Sequence, residues 1–236
     1  MNILATSGGF RPARRTWLEA GPIIDFAFEL AGSPDRPKLC YVGTASGDNP
    51  SATAAVVQAL LGRDVVVSAL AAFPMPSVED VKAHLLAQDV VWVGGGSVAG
   101  LLAIWRLHGW DQVFREVWEA GVVLGGVSAG SLCWHAGGTT DSFGPTLRPV
   151  TNGLALLPYS NGVHYDSEEQ RRPLYHQLVA DELLPPGYAT DDGVGLHYRG
   201  TELVEAVADR PDAKAYRVER GRHGRAIEDV IEPRLL

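Results

Sequence analysis

The stretch Val122-Val123-Leu124-Gly125-Gly126-Val127-Ser128-Ala129-Gly130-Ser131 governs the reading of the whole chain. It opens as an apolar run, the pattern of a strand covered on both faces. It then meets a serine enclosed by small residues, behind which a helix can start. Gly126-Val127-Ser128-Ala129-Gly130 meets the G-x-S-x-G spacing of a nucleophile elbow, where a sharp strand-to-helix turn holds the serine in strained backbone angles. Small neighbours at Gly126 and Gly130 remove side chains that would clash in such a bend. The N–H of Ala129, at the start of the following helix, is a natural oxyanion donor. The spacing alone also fits a tight turn without chemistry; the buried strand before it favours a nucleophile.

Outward from this turn, similar apolar runs recur at Ile3–Thr6, Leu39–Val42, Val65–Val67 and Val90–Val93. Helical patterns lie between them: Trp17–Leu30 after Thr16, Ala52–Leu61 after Ser51, Val78–Leu86 after Ser77, Val98–Leu107, and Gln112–Ala120. Such alternation predicts an α/β fold with a doubly wound, mostly parallel sheet. Beyond Leu132 the pattern loosens: Gly137-Gly138, Asp141–Pro149 and Leu157-Pro158 read as loops, and a helix is expected from about Glu168 to Leu183. Val194–Tyr198, Leu203–Ala208 and Ala213–Val218, separated by turn signals, read as a C-terminal β-meander. Without repeats or a linker, residues 1–236 read as one domain.

A second glycine turn, Val93-Gly94-Gly95-Gly96-Ser97, also joins a strand to a helix. It lacks the spacing of a dinucleotide fingerprint and the Lys of a phosphate-binding loop. Both turns belong at the carboxyl ends of adjacent strands, where ligands bind in open sheets. Gly95 or Gly96 is therefore a candidate second oxyanion donor.

The net charge of −8 disfavours nucleic acid or an anionic membrane as a partner, because both need a basic face. No apolar run is long enough for a membrane helix, and no signal-like segment opens the chain. Cys40 and Cys133 cannot build a disulfide framework or a zinc site, and read as core thiols of a cytoplasmic protein. No Cys/His cluster implies a metal, and the chemistry needs no cofactor.

A nucleophilic serine needs a base and a group to orient it. Of seven histidines, His84 and His108 precede the elbow, and His135 follows it too closely to reach around. His176 falls within a helix, His197 in an edge strand and His223 in the polar tail. His164, in Ser160-Asn161-Gly162-Val163-His164-Tyr165-Asp166, follows a strand-like piece whose end can face Ser128. For the acid, the spacing leaves Asp191, Asp192 and Asp166 open.

In this order, Val42-Gly43-Thr44-Ala45-Ser46, Val93-Gly94-Gly95-Gly96, Gly126–Gly130, the His164 loop and Asp192-Gly193 resemble the dipeptidase E (α-aspartyl dipeptidase) and cyanophycinase family of serine peptidases. The resemblance spans most of the chain. It implies a flavodoxin-like three-layer sandwich related to class I glutamine amidotransferases, and hydrolysis of short peptides by a monomer or homodimer. It also implies Ser128 as nucleophile, His164 as base, Asp192 where the family has Glu, and Gly96 and Ala129 as oxyanion donors. Ser97, Tyr165 and Arg171 become candidate substrate contacts. Ser97 replaces the family's Asn. In Ser167-Glu168-Glu169-Gln170-Arg171-Arg172, Arg171 matches one of two arginines expected to meet a substrate carboxylate, while Glu168 stands at the other.

Overall fold

The computed structural model describes residues 1–236. The first half contains β1 (Asn2–Thr6), β2 (Phe10–Pro12), β3 (Leu18–Ala20), α1 (Pro22–Leu30), β4 (Lys38–Val42), α2 (Pro50–Leu60), β5 (Val66–Leu70), α3 (Val81–Leu86), β6 (Val90–Val93), α4 (Val98–His108) and α5 (Trp110–Glu119). The second half contains β7 (Val123–Val127), α6 (Ala129–Leu132), β8 (His135–Thr140), β9 (Arg148–Val150), β10 (Leu157–Gly162), α7 (Arg171–Ala180), β11 (Gly187–Thr190), β12 (Val194–Arg199), β13 (Glu202–Ala208), β14 (Ala215–Arg220), β15 (Ala226–Ile231) and β16 (Arg234–Leu235).

An eight-stranded sheet runs in the order β16-β13-β12-β1-β7-β6-β4-β5. The stretch from β1 to β5 is parallel throughout, while β12 is antiparallel to β1 and β13 to β12. Successive residues of the parallel strands feed two cores, as the pleat requires. Leu4, Leu39, Trp92 and Val123 join α1 and α2 in one cluster, whereas Ile3, Cys40, Val91 and Leu124 join α4 and α5 in the other. The continuous apolar runs therefore arise because both faces of these strands are covered.

Several elements differ from the sequence-based expectation. The first helix starts at Pro22, not Trp17, because the segment before it forms the β2–β3 hairpin. Gly21 N–H donates to Gly9 O at 2.8 Å, and Pro22 presets the first helical turn. Asn49 and Asp80 cap α2 and α3, instead of Ser51 and Ser77.

A second sheet of six strands, β15-β14-β11-β10-β8-β9, was not expected as a sheet, although the strand-like piece before His164 and the third meander strand belong to it as β10 and β14. Gly137 and Gly138, read as a loop, lie in β8, where the chains pack too closely for side chains. A Cβ on Gly138 would sit 2.2 Å from Asn161 O, and one on Gly137 2.3 Å from Val150 O. The meander is likewise divided. Its first two strands are β12 and β13 of the main sheet, while its third, β14, pairs with β11 and β15. Pro211, which has no N–H to continue a ladder, and Asp212, at φ 65°, lie where the chain changes sheets. No helix is long and apolar enough to cross a membrane.

Candidate active site

Ser128 follows directly on β7, with φ 58° and ψ −112°, a strained conformation for a non-glycine residue. Its N–H donates to Thr6 O at 3.0 Å, and its carbonyl accepts the N–H groups of Ser131 and Leu132, both at 2.9 Å. The helix behind it, α6, has only one turn. A helix this short adds little dipole at its N-terminus, so what it offers there is individual N–H groups. The small neighbours are obligatory. A Cβ on Gly130 would meet Val93 O at 2.2 Å, and one on Gly126 would meet Val93 O at 2.6 Å.

β6 and β7 are adjacent and parallel, with Val93 opposite Gly126, so the glycine turn lies beside the serine. A Cβ on Gly95 would lie 3.3 Å from Ser128 Cβ and 3.9 Å from its Oγ. Gly96 has φ 134° and no room for a side chain against Ala45 O. Gly94 N–H donates to Val42 O and Ser97 N–H to Ala45 O, but the N–H groups of Gly95 and Gly96 have no partner within the chain. Ala129 N–H opens α6, and the first N–H of a helical turn has no carbonyl four residues back.

His164 comes from the second sheet, just beyond β10, and itself has φ 53°. Its N–H donates to Ser7 Oγ at 3.1 Å. Its Nδ1 lies 2.5 Å from Asp192 Oδ1. Asp192 sits in the short link where the chain passes from β11 in the second sheet to β12 in the first. Gly193 N–H, next along, donates to Ser7 O at 3.0 Å. The end of β1 is thus a hub: Thr6 holds the Ser128 backbone, and Ser7 holds those of His164 and Gly193. Asp192 and His164 side chains are 43% and 22% exposed, so the site is open to solvent. No hydrogen bond joins Ser128 Oγ to His164 Nε2, and neither atom bonds elsewhere within the chain.

The alternatives left open by spacing separate here. Asp191 turns inward, 5% exposed, and its Oδ2 accepts from Lys214 N–H at 2.9 Å and Tyr216 O–H at 3.3 Å. Burial pushes its carboxyl pKa up. Asp166 contacts the Asp192 backbone, not the imidazole. Among the other histidines, His84 meets Ser68, His176 meets Glu228 and His197 meets Asn2. His135 is fully buried against Ser131 O.

Three expected substrate contacts are engaged elsewhere. Arg171 is 2% exposed, and its guanidinium donates to Thr139 O and the Glu168 carboxylate. Tyr165 is 4% exposed and donates to Glu228 at 2.9 Å, packed among Tyr175, His176 and Tyr216. Ser97 caps α4, its Oγ accepting from Gly100 N–H at 3.0 Å. Sequence reasoning missed Thr6 and Ser7, whose only signal was their place at the carboxyl end of a central strand. Arg210, in the turn between β13 and β14, donates from Nε to Asp192 O. No cluster of three or more His, Cys, Asp or Glu side chains is arranged to hold a metal.

Residues 3–206 match the model of peptidase family S51. The uncharacterized peptidase YgaJ of Bacillus subtilis is 41% identical over 189 residues, covering 80% of this chain and 81% of that protein. Peptidase E of Shewanella denitrificans is 31% identical over 134 residues, 53% of this chain and 57% of its own. In fold, the chain resembles the crystal structure of a peptidase from an acI-B1 Actinobacterium, with TM-score 0.68 at 15% identity, covering 98% of this chain and 94% of that one.

Proposed function

The chain belongs to peptidase family S51 and is a serine-type peptidase, and from that membership we propose that it cleaves short peptides with Ser128 as nucleophile, His164 as base and Asp192 as orienting acid. The observation that carries this reading is the 2.5 Å contact of His164 Nδ1 with Asp192, with the backbones of His164 and of Ser128, a serine at positive φ, both anchored on the end of β1. With Nδ1–H donated to the carboxylate, Nε2 is the basic nitrogen. It takes the Ser128 proton as Oγ attacks the peptide carbonyl. The N–H groups of Gly96 and Ala129 receive the developing oxyanion, with Gly95 as an alternative donor. The imidazolium then protonates the leaving amine, and water attacks the acyl-enzyme by the same route reversed.

Substrate preference follows from Glu168. It neutralises Arg171, so that arginine has no free fork for a substrate carboxylate. We read the enzyme as hydrolysing dipeptides without requiring an N-terminal Asp. The order β5-β4-β6-β7 with helices on both faces supports a flavodoxin-like arrangement of the main sheet. Cys40 and Cys133 are buried free thiols, the pKa of the former pushed up to about 11 by burial, in keeping with a reducing cytoplasmic compartment.

Kinetics on a dipeptide panel test both parts. Ser128→Ala is expected to lower kcat by about 10³-fold or more. Unchanged turnover would remove the nucleophile assignment. Asp-Leu and Ala-Leu are expected to differ in kcat/KM by less than about tenfold, and a preference for Asp above about 100-fold would restore an acidic-substrate site.

A further inference from the structure

We propose that Asp166 and Arg210 are positioning residues that clamp Asp192 so that its carboxylate meets His164; the inference rests on the Ser128–His164–Asp192 reading above. Asp192 is a poor candidate for positioning by packing. It lies in a link between two strands, its side chain is 43% exposed, and the next residue, Gly193, has φ 79°. A carboxylate so placed reaches its partner in one geometry only if the backbone that carries it is fixed in position.

The backbone is held on both sides. Asp192 N–H donates to Asp166 Oδ1 at 2.9 Å. Asp192 O accepts from Arg210 Nε at 2.6 Å. Arg210 Nη2 then closes on Asp166 Oδ2, completing a ring through the ion pair. Gly193 makes room for this: a Cβ there would lie 3.2 Å from Arg210 Cγ and 2.4 Å from Asp209 Oδ1. Asp166 lies two residues beyond His164, so one loop carries both the imidazole and the group that fixes its partner. The His164–Asp192 geometry is thereby set locally, across the junction of the two sheets.

Magnitudes favour a positioning role over a purely stabilising one. The pair is 43% and 35% exposed, and such surface pairs contribute little to global stability. A misplacement of about 1 Å in a catalytic group, by contrast, costs up to about a hundredfold in rate. Arg210 has also given both Nε and Nη2 to this ring, which leaves it poorly suited to seize a substrate carboxylate.

The test uses the full chain as wild type, Arg210→Gln, Asp166→Asn, the double variant and the milder Arg210→Lys. Four quantities are measured: kcat and KM on a cleaved dipeptide, the rate of Ser128 labelling by a phosphonate, the downfield proton resonance of the His164–Asp192 hydrogen bond, and the urea midpoint. The single variants are expected to lose about 10- to 100-fold in kcat with KM within about threefold and the urea midpoint little changed. The downfield line should broaden, Arg210→Lys should recover part of kcat, and the double variant should lose no more than the worse single, because one ring is broken either way. Folded single variants that keep wild-type kcat and the wild-type line overturn the clamp, as do multiplicative losses in the double variant. If the wild type shows neither Ser128 labelling nor the downfield line, the triad reading fails and takes the clamp with it. A labelled wild type with unaffected variants sinks the clamp alone.

Discussion

Ser128 and His164 hold φ of 58° and 53°, conformations that cost about 1–3 kcal/mol each and persist only when neighbours enforce them. The neighbours are Thr6 and Ser7, two adjacent residues of one strand end. Neither position was legible as functional, because hydrogen bonds to backbone groups more than 100 residues away leave no local pattern. Arg171 teaches the reverse: a residue matching a family motif is buried and donates to Thr139 O in strand β8. His135 yields a stability prediction. It is fully buried, its Nδ1–H donates to Ser131 O at 2.9 Å, and burial lowers its pKa from 6.5 to about 4. The unfolded chain takes up a proton near pH 6.5, but the folded one only near pH 4. Stability is therefore complete above about pH 6.5 and is lost as pH falls toward 4, by on the order of 3 kcal/mol. Urea titrations at pH 7.5 and 4.5 should show this loss, and His135→Gln should flatten it. An equal slope in that variant would assign the acid sensitivity to other groups.

Among the elements, the parallel strands were readable because burial on both faces makes them continuously apolar. Of the second sheet, β14 was legible as a strand, but β8 (His-Ala-Gly-Gly-Thr-Thr) and much of β10 (Leu-Pro-Tyr-Ser-Asn-Gly) carry loop-like residues. Their glycines serve close backbone approach, and Pro149 lies in β9, an edge strand that tolerates a missing donor. Helix α4 allows a discriminating test. Ser97 Oγ accepts from Gly100 N–H, so Ser97→Ala is expected to cost about 1 kcal/mol of stability while KM stays within about twofold. A large rise in KM at unchanged stability would return Ser97 to the substrate.

At the scale of the molecule, the two sheets share one core. A cluster of 35 buried residues includes Leu124 and Leu196 from the first sheet, Leu157 and Ala215 from the second, and Trp105 and Trp134 between helices and strands. Urea unfolding is therefore expected as a single transition, with tryptophan fluorescence and far-ultraviolet circular dichroism coincident. Two separated transitions would mean that the sheets fold as independent units. The sequence alone determined the alternating strands and helices, the elbow at Ser128 and the glycine turn beside it, because hydrophobic period and glycine spacing are local properties. Only the tertiary structure decided which carboxylate faces His164, that Asp191 turns inward, and that serine and histidine come from different sheets. Those outcomes depend on pairings between distant segments, and loop-closure entropy, shape and hydrogen-bond satisfaction select them for the whole chain at once.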